Sequence, residues 1–400
     1  MNDIKIRLNF TDVLFLISMV TVLSFPQSSR IKAILIMLFF GYMVFITLLS
    51  KRKIPNVLHS LWAIAFFALC YFSKYWAAFP NAVNEQISNV LWSMMLSVGT
   101  ALYILYNDFD TIDIAKRFCF LAVLFAVNVV FNSTFEGNRL SVSNNANTFG
   151  KTAISMAGFF LFWCKKKRWK RAFPIFMFAL MSFLALLSGS RKAILALLLY
   201  IIAYVLFEHL PKNFFKVIGR LLIAAVICWI IYLCIMNIGF LYNSVGNRVE
   251  SMFDFFSGDT EADGSVNTRF NMIEVAKEIF IDNPILGAGL NNFKYLTYHG
   301  TYAHNNYYEL LACLGIVGFV IYYLPLAIFL LRAVRLWRKD RQDAIVPLAI
   351  LTILFVSDFA AVSYFSLNEH VFLGVAIGTI YKLKNNNLDV LLDNNSIGEI

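Results

Sequence analysis

The stretch "YAHNNYYELLACLGIVGF" (302–319) passes from a histidine and two asparagines straight into apolar sequence. Groups that ionise or hydrogen-bond are costly beside a lipid-facing helix, so the junction reads as the mouth of a membrane span whose polar groups need a purpose. Outward from it, apolar runs of membrane-spanning length recur near 10–25, 31–50, 56–72, 87–106, 115–131, 150–164, 172–188, 193–207, 217–240, 307–331, 344–358 and 365–383, about twelve spans in all. Composition agrees: 60% of the 400 residues are hydrophobic, 40 are Phe and only 14% are charged, with a mean hydropathy of +0.68. Such values exclude an ordinary soluble domain. The first run lacks a small-residue cleavage site and reads as a span, not a cleavable signal. The last two flank "SDFAAVSYFSLNEH" (357–370), which reads as a re-entrant or interfacial piece. The expected fold is all-α: a single integral membrane domain over 1–400.

A net charge of +10 raises the question of a nucleic-acid partner. With the N-terminus placed in the cytoplasm, the inner loops carry Lys5, Arg7, "KRK" (51–53), Lys116, Arg117, "KKKRWKR" (165–171), Lys212, Lys216, Arg220, the five basic residues of "RAVRLWRKDR" (332–341), Lys382 and Lys384. These are 23 of the 34 Lys and Arg, as the positive-inside rule requires. The basicity is topogenic, with a secondary affinity for anionic membrane lipid, and no nucleic-acid partner is implied. Both termini are expected in the cytoplasm and any chemistry on the outer face.

The largest hydrophilic segment, 241–306, falls on that outer face between spans nine and ten and has a balance of minus four between 241 and 303. An acidic loop does not attract anions by its bulk field, so an anion bound there is held by individual arginines. Within it, Phe270, Ile273, Ala276 and Phe280 recur at helical spacing, predicting an amphipathic helix over 268–282. Asn267 or Thr268 would cap it, and Pro284 would end it. The plain reading is a helix on the bilayer surface; the sharper one is a helix that holds Arg269, in its first turn, over a cavity between spans. "PILGAGLNNF" (284–293) supplies glycines for a tight return and matches no phosphate loop.

Arg191, in "LSGSRKAILALL" (187–198), lies in a turn too short to leave the interface. It either snorkels to the headgroups or faces inward as a fixed guanidinium able to grip phosphate oxygens. Arg139 lies in a polar outer loop, where solvated arginines are ordinary. His304 is either a structural group at a helix entry or, because imidazole titrates near neutrality, a proton acceptor. Gly315 and Gly318 allow close approach of a neighbouring helix.

Other chemistries fit less well. "DTEADG" (259–264) resembles half of a calcium loop, but Phe270 stands where the bidentate Glu belongs. His59, His209, His299, His304 and His370 form no zinc spacing. The six cysteines, Cys70, Cys119, Cys164, Cys228, Cys234 and Cys313, lie in or beside apolar runs and read as packing residues. A transporter or flippase would suit twelve spans, but the polar candidates gather at one face and the two halves differ. A regulatory membrane subunit is a third possibility.

Together, His304-Asn305 followed after nine residues by Gly315 and after two more by Gly318 resembles the opening of a late span in the O-antigen ligase and Wzy-type polysaccharide polymerase superfamily. "SGSRKAIL" (188–195) looks like that family's short Arg turn, and "TRFNMIEVAKEIFIDNPILGAGLNNF" (268–293) is similar to its long-loop segment. "RLSVSNNANTFG" (139–150), with Asn147, resembles a family motif more loosely, and "VSDFA" (356–360) is similar to the region of the ligases' late aspartate, here Asp358.

The resemblance implies a GT-C-like glycosyltransferase of the bacterial cytoplasmic membrane. It would take glycans from undecaprenyl-diphosphate-linked oligosaccharide on the outer leaflet, without metal or other cofactor, in O-antigen, capsule or exopolysaccharide synthesis. Mapped onto this chain, Arg191 and Arg269 would clamp the diphosphate, and His304 would orient or deprotonate the acceptor, with inversion at the anomeric carbon. Arg139, Asn147, Asn305 and Asp358 would contact substrate, and a flippase and a chain-length regulator would be partners. Polymerase is preferred to ligase.

Overall fold

The computed structural model describes residues 8–24, 30–50, 57–136, 139–142, 146–163, 172–208, 214–257, 264–339 and 341–397. Lys5, Arg7, the basic runs 51–53 and 165–171, Cys164, His209, Lys212, the acidic positions 259–263 and the Arg139 side chain lie outside the described residues.

Each apolar run coincides with a helix. In chain order these are α1 (Phe10–Ser24), α2 (Arg30–Leu49), α3 (Val57–Phe72), α4 (Pro80–Asn107), α5 (Thr111–Asn132), α6 (Ala146–Trp163), α7 (Ala172–Leu187), α8 (Arg191–Glu208) and α9 (Phe214–Asn237). The loop region contributes α10 (Asn247–Phe256) and α11 (Gly264–Asp282), and the chain continues through α12 (Asn306–Lys339), α13 (Arg341–Ser357) and α14 (Leu367–Ile397). Among the described residues, six helical stretches are long and apolar enough to cross a membrane: Arg30–Leu49, Val57–Tyr75, Pro80–Asn107, Thr111–Asn132, Ile218–Asn237 and Asn306–Lys339. Exposed Leu222, Ile223, Val226, Trp229 and Ile230 on α9 make an apolar surface that only lipid suits. The chain is a helical membrane protein.

Local sequence sets the boundaries. Pro80 opens α4 at the position where a missing amide costs nothing, and Asp110 caps α5 by accepting the Asp113 amide at 2.8 Å. Helices α4 and α14 approach closely because Gly374 and Gly378 face Ser97 and Ala101; a methyl at Gly374 would lie 2.4 Å from the Ser97 carbonyl oxygen. One departure from an all-helical fold is a hairpin of β1 (Ser133–Glu136) and β2 (Arg139–Val142), antiparallel in register Ser133↔Val142 to Glu136↔Arg139. Gly137-Asn138 lies between the strands in sequence, a hairpin signal within what reads as a polar loop.

Hydrogen bonds sort the helix ends into two groups. At one end Asn9, before α1, donates to Asn107 at 2.7 Å, and Lys382 of α14 pairs with Asp108 at 3.2 Å. Here Arg117 departs from its expected place in an inner loop: it is buried in α5 and grips Asp12 of α1 through Nε at 2.6 Å and Nη2 at 3.1 Å. At the other end the 284–296 return docks on the α3–α4 connection. Trp76 donates to the Leu286 carbonyl at 3.1 Å, and the Phe79 amide to Asn292 at 2.7 Å.

Helix α12 is not the straight span expected over 307–331. Gly315 has φ 62° and ψ −167°, and Asn306 Nδ2 lies 2.7 Å from Tyr323 Oη. Seventeen residues of straight helix would separate them by about 25 Å; instead arm 306–314 bends back against arm 316–339. The break leaves backbone groups without helical partners, and the glycine-rich return supplies them. Ala288 N donates to Ala312 O at 2.9 Å and Gly289 N to Cys313 O at 2.8 Å, while Ile316 N donates to Pro284 O at 2.9 Å and Val317 N to Ile285 O at 3.2 Å. Gly315 is therefore required by this backbone joint, not by an approaching helix: a methyl there would lie 2.3 Å from the Ile285 oxygen.

Candidate active site

The bend fixes the turn that carries His304. Asn305 caps the first arm of α12, its Oδ1 accepting the Tyr307 amide at 3.0 Å and the Tyr308 amide at 3.2 Å. Its Nδ2 donates to the Phe359 carbonyl at 3.1 Å. Buried Glu309 accepts the Ala303 amide at 2.7 Å, so both neighbours of His304 are tied to the same helix start. Between them His304 takes φ +55°, uncommon for a residue with a side chain, and its ring packs at a 56° tilt against Tyr302 with centroids 4.4 Å apart. Nδ1 of His304 is buried with no hydrogen-bond partner.

Behind the turn, Asp358 serves the fold. It is fully buried, and its Oδ2 accepts from Tyr323 Oη at 2.8 Å and Asn306 Nδ2 at 3.2 Å. Asn306 Oδ1 in turn accepts the Ser363 amide at 2.9 Å. The interrupted segment between α13 and α14 is thus folded onto the start of α12.

Charged groups converge on the turn from three other elements. Arg269 belongs to α11, which starts at Gly264, so Arg269 stands in its second turn and Thr268 bonds the Gly264 carbonyl at 2.7 Å from inside the helix instead of capping it. The buried face of this helix is carried by Met272 and Ala276, whereas Phe270, expected on that face, is 49% exposed. Lys192 is the second residue of α8. Burial first, then the positive charges of Lys192 and Arg269, hold the His304 imidazole down at about 4. Lys151 of α6 pairs with Glu369 of α14, and a methyl at neighbouring Gly150 would lie 2.1 Å from the Ser188 hydroxyl and 3.2 Å from Ala193 Cβ. The Arg turn therefore lies against α6 beside this ion pair.

Of the residues expected in the site, Arg269 and His304 act on one another electrostatically. Arg191 opens α8 next to Lys192. Asn147 lies in the first turn of α6, four residues before Lys151 and hence on the same helix face. Asn305 and Asp358 hold the turn, and Arg139 pairs through its backbone in β2. Three groups were not anticipated. Lys192 is masked in sequence by the more conspicuous Arg191. Lys151 and Glu369 are 218 residues apart in sequence, a pairing no local pattern reveals. Arg248 of α10 also reaches this region, its Nη1 lying 3.5 Å from the Gly189 carbonyl.

The arrangement offers cations for an anionic group beside an imidazole with an open ring nitrogen. Residues 176–323 match the family model described as O-antigen ligase. The match is consistent with the O-antigen ligase and Wzy-type superfamily that the sequence resembles, and it supports a glycosyltransferase-like role in polysaccharide assembly. The matched stretch contains Arg191, Lys192, Arg269, His304 and Gly315. A search of curated proteins finds no match.

Proposed function

We propose that this protein polymerises polysaccharide repeat units carried on undecaprenyl diphosphate at the outer face of the bacterial cytoplasmic membrane. The observation that carries the reading is the His304 imidazole, neutral at ordinary pH, with a buried unbonded nitrogen beside the charges of Lys192 and Arg269. In this reaction an acceptor hydroxyl oxygen attacks the anomeric carbon of the donor glycan and the bond to the diphosphate oxygen breaks. The bonding pair leaves with the diphosphate, and the hydroxyl proton passes to the imidazole. Arg191 and Arg269 meet the charge that grows on the leaving diphosphate, and such preorganised cations favour the transition state over the bound donor. Inversion at carbon follows from single displacement, and no metal is assigned a step. Asn305 and Asp358 hold the turn in register; Arg139 and Asn147 are assigned to the substrate path, and a flippase and a chain-length regulator are the proposed partners. The twelve helices that match the apolar runs serve as spans, with both termini cytoplasmic.

The test is to incubate purified protein with lipid-linked repeat units alone. A ladder of longer glycans is expected, and its loss in His304→Ala, Arg191→Ala and Arg269→Ala at unchanged membrane level. A full ladder in all three variants would remove the reading. A second reading, transfer of the finished glycan to a lipid A core, is favoured by the description of the matching family as a ligase. Product that forms only when core acceptor is added would select it.

A further inference from the structure

Lys192 has features that the clamp of Arg191 and Arg269 leaves unexplained. It stands in the first turn of an eighteen-residue helix, where the macrodipole disfavours a cation and favours an anion. Among the described residues it forms no ion pair, and Glu369, the carboxylate whose charge acts on it, is held by Lys151. The Ser190 hydroxyl, at the cap position of the same helix, is fully buried and unbonded. The contact of Gly150 with Ser188 and Ala193 fixes this turn against α6. On the other side, Tyr302 packs against His304 and its ring lies 6.0 Å from that of Phe365, four residues before Glu369. The helix start, the Lys151–Glu369 pair and the His304 turn thus close around one place.

We propose that Lys192 is a ligand of the donor's diphosphate, and that seating the diphosphate there switches His304 into its proton-accepting role. The inference rests on the glycosyl-transfer reading of this site. Around His304 stand Lys192 from α8 and Arg269 from α11, whose charges act on it, Tyr302 from its own loop and Glu309 through the Ala303 amide, while the Lys151–Glu369 pair from α6 and α14 acts on Lys192. The two cations that act on His304 make protonation unfavourable. A bound diphosphate cancels their field and adds negative charge, so the imidazole becomes a stronger base when the donor is in place. The acceptor is then deprotonated only against a loaded donor, and the proton taken from its hydroxyl is balanced by the charge of the departing diphosphate.

The test uses the full-length protein in phosphatidylcholine nanodiscs, with the histidine ring nitrogens followed by NMR and His304 assigned from the His304→Gln spectrum. Inorganic pyrophosphate and glycan-free undecaprenyl diphosphate are added separately. Each is expected to raise the proton affinity of His304 by about tenfold or more, the effect of one nearby opposite charge. In Lys192→Met the empty protein is expected to show a raised His304 midpoint, pyrophosphate affinity at least about tenfold weaker, and little further response. Lys192→Arg should restore both. The signal of His59, buried with its Nε2 2.9 Å from the Ser97 hydroxyl, reports on folding, and Lys192→Gln carries the comparison should the Met variant lose it. A variant without charge at 192 that titrates and binds pyrophosphate like the wild type overturns the proposal. So does an equal response to phosphatidylglycerol discs alone, which assigns the site to a structural lipid headgroup. Pyrophosphate-coupled titration of His304 in a protein that lengthens no glycan would keep the inference and remove the polymerase reading. Glycan extension by Lys192→Met with an unchanged pH profile would do the reverse.

Discussion

Two clusters of charge lie among the helices, and their difference separates a staple from a site. In the first, every oxygen lone pair of Asp12 is engaged. Oδ1 accepts from Arg117 Nε at 2.6 Å and from Tyr103, and Oδ2 from Arg117 Nη2 at 3.1 Å and the Asn9 amide at 2.9 Å. The guanidinium carbon also lies 3.6 Å from the centre of the Phe109 ring. In the second, among the described residues, Lys192 forms no ion pair, and His304 Nδ1 and Ser190 Oγ are buried without partners. Buried polar groups are normally satisfied. The second cluster is not, and it is the one to which we assign the diphosphate.

The sharpest way to break the comparison is to exchange the consequences of mutation. His304→Ala is expected to lower glycan extension by about 10²- to 10⁴-fold, the usual worth of a positioned base. Thermal stability should hardly change, because Nδ1 gives up no hydrogen bond. Arg117→Ala should do the opposite. Removing one partner of a buried ion pair costs about 3–5 kcal/mol, so the melting temperature falls while extension per folded molecule is kept. Comparable stability losses in both variants would erase the distinction between the clusters.

Next in size is the joint that aims the site. Gly315→Ala places a methyl 2.3 Å from the Ile285 oxygen at φ +62°, and Gly287→Ala places one 2.4 Å from the Cys313 carbonyl carbon at φ +67°. Each is expected to cost about 1–3 kcal/mol in backbone strain alone. Because both damage the same set of backbone bonds, the double variant should lose less than the sum. Additive losses, measured as midpoints of thermal unfolding in detergent, would show that the two glycines serve separate structures.

Sequence made the helices legible and the joint illegible for one physical reason. Apolar runs are long and redundant, so about twelve helices could be read from their positions along the chain. The bend at Gly315 is set by four backbone bonds to a segment nearly thirty residues earlier, and a glycine inside an apolar helix signals close packing equally well. Part of the candidate site was legible in the same way. Arg191, Arg269 and His304 are conspicuous as single residues out of place. Lys192 was hidden by its neighbour, and the Lys151–Glu369 pair was readable only in three dimensions. Arg117 erred in the opposite direction: as a sequence feature it is one more inner-loop cation, whereas in the fold it is buried against Asp12.

A smaller loss should follow from Tyr323→Phe. The hydroxyl that bonds Asp358 at 2.8 Å disappears, leaving Asn306 as the sole remaining donor to that oxygen among the described residues. A cost of about 1–2 kcal/mol is expected for the buried acceptor. Extension should fall only a few-fold, because the Asn305 cap and Glu309 still hold the His304 turn. A loss as deep as that of His304→Ala would place Tyr323 in the chemistry.

The smallest expected effect is a flat line, and it bears most directly on the open cluster. A base works when neutral, so its acidic limb in kcat/KM falls at its pKa in the free enzyme, and its limb in kcat at the pKa with donor bound. An ordinary histidine, at about 6.5, would retain only about a tenth of its neutral form at pH 5.5. Held down at about 4 by burial and by Lys192 and Arg269, His304 should keep about nine-tenths or more, so the imidazole itself puts no acidic limb in kcat/KM between pH 7 and 5.5. The limb in kcat should lie at higher pH, since bound diphosphate offsets those charges. Lys192→Met should narrow the gap by moving the kcat/KM limb upward. Limbs that coincide in the wild type, both near 6.5, would mean that the cations exert no field on the imidazole and that the open cluster is two separate sites.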